Sequence, residues 1–189
     1  AATVWAARLA GFVAVHDQPR RQAVPGVMNA RARSYANIDA RLYGLELVAG
    51  APVGRMFHVS ADASSTRGTA APRPDLGLTS RDLAEIPPFR GRLRIRFDDG
   101  RLFAGAEAVA AARQRRVDRA LGEQPTPGYT VINLQAGMRH GPFAVAAGVS
   151  NLLDRFYVEH LSYQRDPYRT GVRVPEPGRS LFANVSWRF

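Results

Sequence analysis

Polar and apolar positions alternate with a period of two over much of this chain. From Phe89 to Phe97 the odd positions carry Phe89, Gly91, Leu93, Ile95 and Phe97, while the even ones carry Arg90, Arg92, Arg94 and Arg96. Successive side chains of a β-strand point to opposite faces, so the segment predicts a strand with one greasy and one cationic face. Asp99 and Gly100 follow, a pair that favours a two-residue type I′ hairpin turn. That turn places Glu107 opposite Arg92 on the cationic face, where opposite charges support the pairing. The returning strand then lines up Leu102, Ala104, Ala106, Ala108, Ala110 and Ala112 on the greasy face.

The same rule marks the other strands. A first one is expected from Thr3 to His16, and another from Arg55 to Arg67 after a short turn at Pro52 to Gly54. Gly128, Thr130, Ile132, Leu134, Ala136 and Met138 form one apolar stripe, and His140-Gly141 predicts a tight turn into Phe143, Val145, Ala147 and Val149. A last strand is expected from Ser180 to Phe189. Between Tyr35 and Ala51 the phase slips, with Asn37, Asp39 and Arg41 on one parity and Glu46 on the other, which predicts a bulge near Gly44.

About eight strands result, and their connections alternate between two classes. Tight turns fall near 52, 99 and 141, and long polar or Pro-rich segments near 17 to 33, 68 to 88, 117 to 127 and 152 to 177. Short turns at one end and long loops at the other are the asymmetry of outer-membrane β-barrels, whose short turns are periplasmic. Phe97, Phe143, Trp187 and Phe189 gather at the short-turn end as an interfacial girdle would, although Phe103 has the inward parity. An arginine facing lipid at mid-membrane costs about 2 to 4 kcal/mol, so in a bilayer the cationic face must turn inward. A soluble sandwich would alternate in the same way, and an eight-stranded barrel closing on itself is a second alternative.

Composition narrows the field. No apolar run approaches the roughly 18 residues of a membrane helix. The formal charge is +10, and every basic residue is Arg. A soluble basic domain binding nucleic acid would collect those arginines on a phosphate-facing patch. Here they are spread along the chain, and where densest they alternate with apolar residues, so no nucleic-acid partner is expected. Cys is absent, which removes disulfides and thiolate chemistry. No segment carries a recognisable catalytic or nucleotide-binding motif, so neither an enzyme nor a cofactor is expected.

Several segments together resemble TonB-dependent outer-membrane receptors. They are NLLDRFYVEHLSY from Asn151 to Tyr163, PEPGRSLFANVSWRF from Pro175 to Phe189, DLAEIPPFRGRLRI from Asp82 to Ile95, PTPGYTVINLQAG from Pro125 to Gly137, and YANIDARLYGLEL from Tyr35 to Leu47. The resemblance implies an all-β fold, an antiparallel transmembrane β-barrel. Residues 1–189 would be a partial barrel domain at the C-terminal end of a barrel of about 22 strands with a plugged lumen. It also implies residence in the outer membrane of a Gram-negative bacterium and TonB-driven uptake of a scarce siderophore, metal complex or cobalamin-like ligand. The expected partners are the TonB complex, reached through a part N-terminal to this chain, outer-membrane lipid, the barrel-assembly machinery and the ligand. A small structural or adhesion barrel is the competing function.

Two sets of residues are expected to matter. Val185, Trp187 and Phe189 resemble the C-terminal signal by which assembly machinery recognises barrels, and Arg90, Arg92, Arg94, Arg96 and Glu107 are expected to line the lumen. Ligand contacts are expected from the loops around 68 to 88 and 152 to 177. His58, Met56 and Met28 suggest soft-metal ligands, and His160 with Glu159 and Asp166 has ligand types without diagnostic spacing. None is assigned as a metal site.

Overall fold

A computed structural model describes residues 1–19, 31–76, 78–119, 123–166 and 169–189. Eight strands form one antiparallel sheet: β1 (Ala2–Pro19), β2 (Arg31–Val53), β3 (Phe57–Ala70), β4 (Arg90–Asp98), β5 (Leu102–Ala111), β6 (Tyr129–His140), β7 (Phe143–Ser150) and β10 (Ser180–Trp187). Each pairs with its neighbour in chain order, and β7 pairs with β10 across the longest connection. That connection carries a small hairpin of its own, β8 (Tyr163–Asp166) and β9 (Arg169–Arg173), which the alternation pattern does not reveal. β1 and β10 stand at the two edges, so the chain does not close into an eight-stranded barrel by itself.

Among the described residues the connections alternate as expected; residues 20–30 of the connection expected at 17 to 33 lie outside them. Short turns join β2 to β3, β4 to β5 and β6 to β7, and long segments join β3 to β4, β5 to β6 and β7 to β10. The β4–β5 and β6–β7 turns are centred one residue later than expected, and the β2–β3 turn two residues later. Asp98 pairs with Phe103 and Asp99 N–H donates to Leu102 O, which leaves Gly100-Arg101 as the two-residue loop. Gly100 has φ +93°, the left-handed value that a type II′ turn requires at its first central position. The Asp99 carboxylate accepts from Arg101 N and Leu102 N and so caps the turn instead of occupying it. His140 likewise pairs with Phe143 around Gly141-Pro142, and β3 begins at Phe57 after Gly54 to Met56.

This shift corrects one pairing. Glu107 stands opposite Arg94, not Arg92. Moving a turn centre by one residue displaces every partner by two positions and leaves each side chain on its original face. The hydrophobic pattern therefore cannot distinguish the two registers, whereas the turn's φ requirement does.

No bulge lies at Gly44, because β2 pairs without interruption from Ala40 to Val53. The irregularity lies in β1, between Leu9 and Phe12, opposite β2 residues Ala40 and Ile38. The phase slip along β2 has another cause: the two faces exchange polarity at the long-loop end. There Ile38, Ala40 and Leu42 continue the face that carries Glu46, and they pack against Leu78, Leu83 and Ile86 of the β3–β4 connection. Asp39 and Arg41 occupy the opposite face. In β5 and β6 only the charged face changes, turning apolar at the long-loop end, where Val109, Ala111, Tyr129 and Val131 form a buried cluster covered by Tyr157 of the β7–β10 connection.

Candidate functional site

Two regions carry the chain's concentrated polar chemistry, the charged face of β3 to β6 and the loop cluster above it. Arg90, Arg92, Arg94 and Arg96 share one face of β4, and Arg92 and Arg94 meet carboxylates from both neighbouring strands. Arg94 Nε donates to Glu107 Oε2 at 2.7 Å, and Arg92 Nη1 lies 3.8 Å from the same oxygen. Asp62 on β3 lies 3.5 Å from Arg92 and 3.9 Å from Arg94. Glu107 is held from the other side by Asn133 Nδ2 at 2.9 Å, and Asn133 Oδ1 accepts from Asn151 N. Arg90 leaves this ladder and pairs with Glu159 of the last connection at 3.1 Å. Arg96 makes no hydrogen bond or ion pair among the described residues. These groups are part-exposed and screened by solvent, so the ladder serves to place charge more than to hold the fold.

At the short-turn end the charged face finishes in a fixed group. Arg139 clamps Asp98 through two hydrogen bonds of 2.9 and 3.0 Å and lies 4.5 Å over the Phe103 ring. That contact explains the inward parity of Phe103. On the opposite face Phe143 stacks with Trp187 at 6.1 Å, Trp187 meets Phe189 edge-on at 5.8 Å, and Phe57 meets Phe97 at 5.2 Å. Val185 pairs with Val145 on that same apolar face.

The loop cluster centres on His160 and Glu123, whose side chains are 2% and 5% exposed. Glu123 Oε1 accepts from Glu85 N at 2.8 Å and from His160 Nε2 at 3.0 Å, and Oε2 accepts from Asp118 N at 2.6 Å. A carboxylate only accepts, which places a proton on His160 Nε2, and Nδ1 meets the Thr126 hydroxyl at 3.0 Å. Burial pushes the Glu123 carboxyl up, but the hydrogen bonds from His160, Asp118 N and Glu85 N outweigh it and hold it below the usual carboxylate range. The arrangement therefore contributes stability above the ordinary carboxylate pKa and loses it as pH falls through the lower folded value.

Beneath it, Gln114, only 1% exposed, donates to Ile86 O at 2.7 Å. Arg173 reaches back to the carbonyls of Gln124 and Pro125. The Asn-Leu-Leu-Asp segment becomes intelligible here. Asn151 donates to Arg155 O and Pro177 O, and Asp154 accepts from Arg179 N, so the segment and the following Pro-Gly-Arg stitch the ends of the last connection together.

Of the weaker metal suggestions, Met28 and the Asp166 side chain lie outside the described residues. Glu159 turns away from His160, accepting from the Tyr129 hydroxyl at 3.0 Å beside Arg90. Among the described residues no group of three or more potential ligands is arranged to hold a metal ion.

The TonB dependent receptor-like β-barrel family matches residues 5–152. The chain belongs to that family. No curated protein sequence matches it. Among solved structures, the copper transporter OprC superposes with a TM-score of 0.81 at 26% identity, covering 100% of this chain and 29% of the transporter. The ferric citrate transporter FecA gives 0.67 at 18% identity over 82% of this chain and 25% of its own length. The ferric enterobactin receptor PfeA of Pseudomonas aeruginosa gives 0.65 at 17% over 100% and 28%. The chain thus spans under a third of the length of these three proteins. At these identities FecA and PfeA establish the fold, an antiparallel barrel wall of the TonB-dependent receptor type.

Proposed function

We propose that this chain forms barrel wall in an outer-membrane receptor of a Gram-negative bacterium, which takes up a scarce metal ion or metal complex with energy delivered by TonB. The observation that carries this reading is family membership together with the match to OprC over the whole chain. In this reading residues 1–189 are one partial barrel domain. Arg90, Arg92, Arg94, Arg96 and Glu107 line the lumen, and the apolar face with Phe57, Phe97 and Phe143 meets lipid. Two-faced polarity supports it, since an arginine-rich face is costly in hydrocarbon and stable against water. Val185, Trp187 and Phe189 serve as the assembly signal. The loops at 71–89 and 151–179 form part of the extracellular mouth and contact cargo. Arg96 borders a hollow of about 300 Å³ with Arg94 and Gln135 and presents positive charge to whatever crosses the lumen.

The test is cargo accumulation by cells carrying the full-length protein, its deletion, or a TonB deletion, with copper(II) and ferric citrate as probes. Uptake of one probe that is lost equally in both deletions is the expected result. Accumulation of both probes that ignores both deletions contradicts uptake of these cargoes.

A further inference from the structure

Three long connections at one end of the sheet meet at a single buried carboxylate. Glu123 belongs to the β5–β6 connection, takes Glu85 N–H from the β3–β4 connection, and takes the His160 ring from the β7–β10 connection. Its third donor, Asp118 N–H, comes from its own segment. Glu85 has φ +64°, a left-handed conformation that an L residue adopts at a cost, and in it the N–H meets the carboxylate. A buried charge with three donors on two oxygens is stable only while all three segments keep their places, since losing any donor leaves part of a carboxylate unsolvated. Gln114, itself buried, ties the β5–β6 connection to Ile86 O of the β3–β4 connection, and Arg173 ties the β7–β10 connection to Gln124 O; each joins two segments, whereas Glu123 joins all three.

We propose that Glu123 and His160 are positioning residues for cargo capture: their pair locks together the described parts of the three connections that carry Glu85, Glu123 and His160, as one rigid rim. The role in capture rests on the uptake reading above, whereas the lock itself does not. With the rim locked, loops from three connections reach cargo in a fixed arrangement and the ordering cost is met in folding rather than in binding. Loosening it lowers affinity and leaves the later, TonB-driven step untouched.

The test uses the full-length protein with Glu123→Gln and, separately, His160→Ala. Gln keeps the shape of Glu123 but turns an NH₂ group toward a backbone donor. Hydrogen exchange at Glu85 and Asp118 should speed up about tenfold or more in both variants, and exchange across 155–162 should rise in Glu123→Gln. Faster exchange confined to the connection that carries the substitution overturns the lock. For uptake of copper(II) or ferric citrate, whichever the wild type accumulates, KM should rise about tenfold at unchanged maximal rate. An unchanged KM in a variant whose rim has loosened overturns the positioning role. Should the wild type accumulate neither probe, the uptake reading is what fails, and the exchange measurement alone decides whether the lock exists.

Discussion

Replacing Asn151 by Ala should be among the most damaging single changes in the chain. Asn151 is 4% exposed, and its side chain donates to Arg155 O at 2.9 Å and Pro177 O at 3.2 Å and accepts from Arg155 N at 2.8 Å. Its φ of +51° lies in the left-handed region, which Asn tolerates and Ala does not. Three lost hydrogen bonds plus the backbone cost sum to roughly 2 to 4 kcal/mol. Because Asn151 stitches both ends of the last connection, β10 should loosen from β7. The midpoint of urea unfolding of the full-length protein in detergent should fall clearly. Asn151→Asp keeps the acceptor and the left-handed tolerance and should fall less. Equal losses for Asp and Ala would contradict the role given to the amide donors.

Placing an arginine on the apolar face should have an effect of comparable size. Ile95 alternates with Arg94 and Arg96 along β4, pairs with Val59 and Ala106, and is 43% exposed on that face. Ile95→Arg costs about 2 to 4 kcal/mol if the position lies near mid-membrane. Arg94→Ala on the opposite face removes only solvent-screened pairs, which contribute little. The amount of folded protein in the outer membrane should therefore drop sharply for Ile95→Arg and little for Arg94→Ala. Similar losses for both would mean that the two faces of β4 meet similar surroundings.

Strand faces were legible in the sequence because period two is a local signal. The arginines of β4, the alanines of β5 and the aromatic ends of β7 and β10 each report their side of the sheet without knowledge of any partner. Register was less legible. Asp99 and Gly100 read as a turn pair, but only Gly100 enters the loop while Asp99 caps it, so Glu107 meets Arg94. The change of parity in β2 read as a bulge because a backbone defect and a change of surroundings leave the same trace. Here the surroundings change: the loop residues Leu78, Leu83 and Ile86 cover Ile38 and Ala40.

The loop cluster lay beyond the reach of local reading. His160 has Glu159 beside it in sequence, yet its carboxylate partner is Glu123, 37 positions away. Nothing near Glu123 marks it as a hub, since two of its three donors are backbone N–H groups that every residue possesses. The family-like segments were the one available signal. Asn151, Asp154 and His160 all fall in the Asn-Leu-Leu-Asp to His stretch, and each proves to be a fastening point between connections.

The most direct test of the account is thiol labelling along β4 of the full-length protein in intact outer membrane, with Cys placed singly at each position from 93 to 96. The account predicts alternation. Cys at positions 94 and 96 should react with a water-soluble maleimide, and Cys at 93 and 95 should be shielded from it yet react with a lipophilic one. Uniform reaction of all four with the water-soluble reagent would contradict a lipid-facing wall, and with it the uptake receptor built upon that wall.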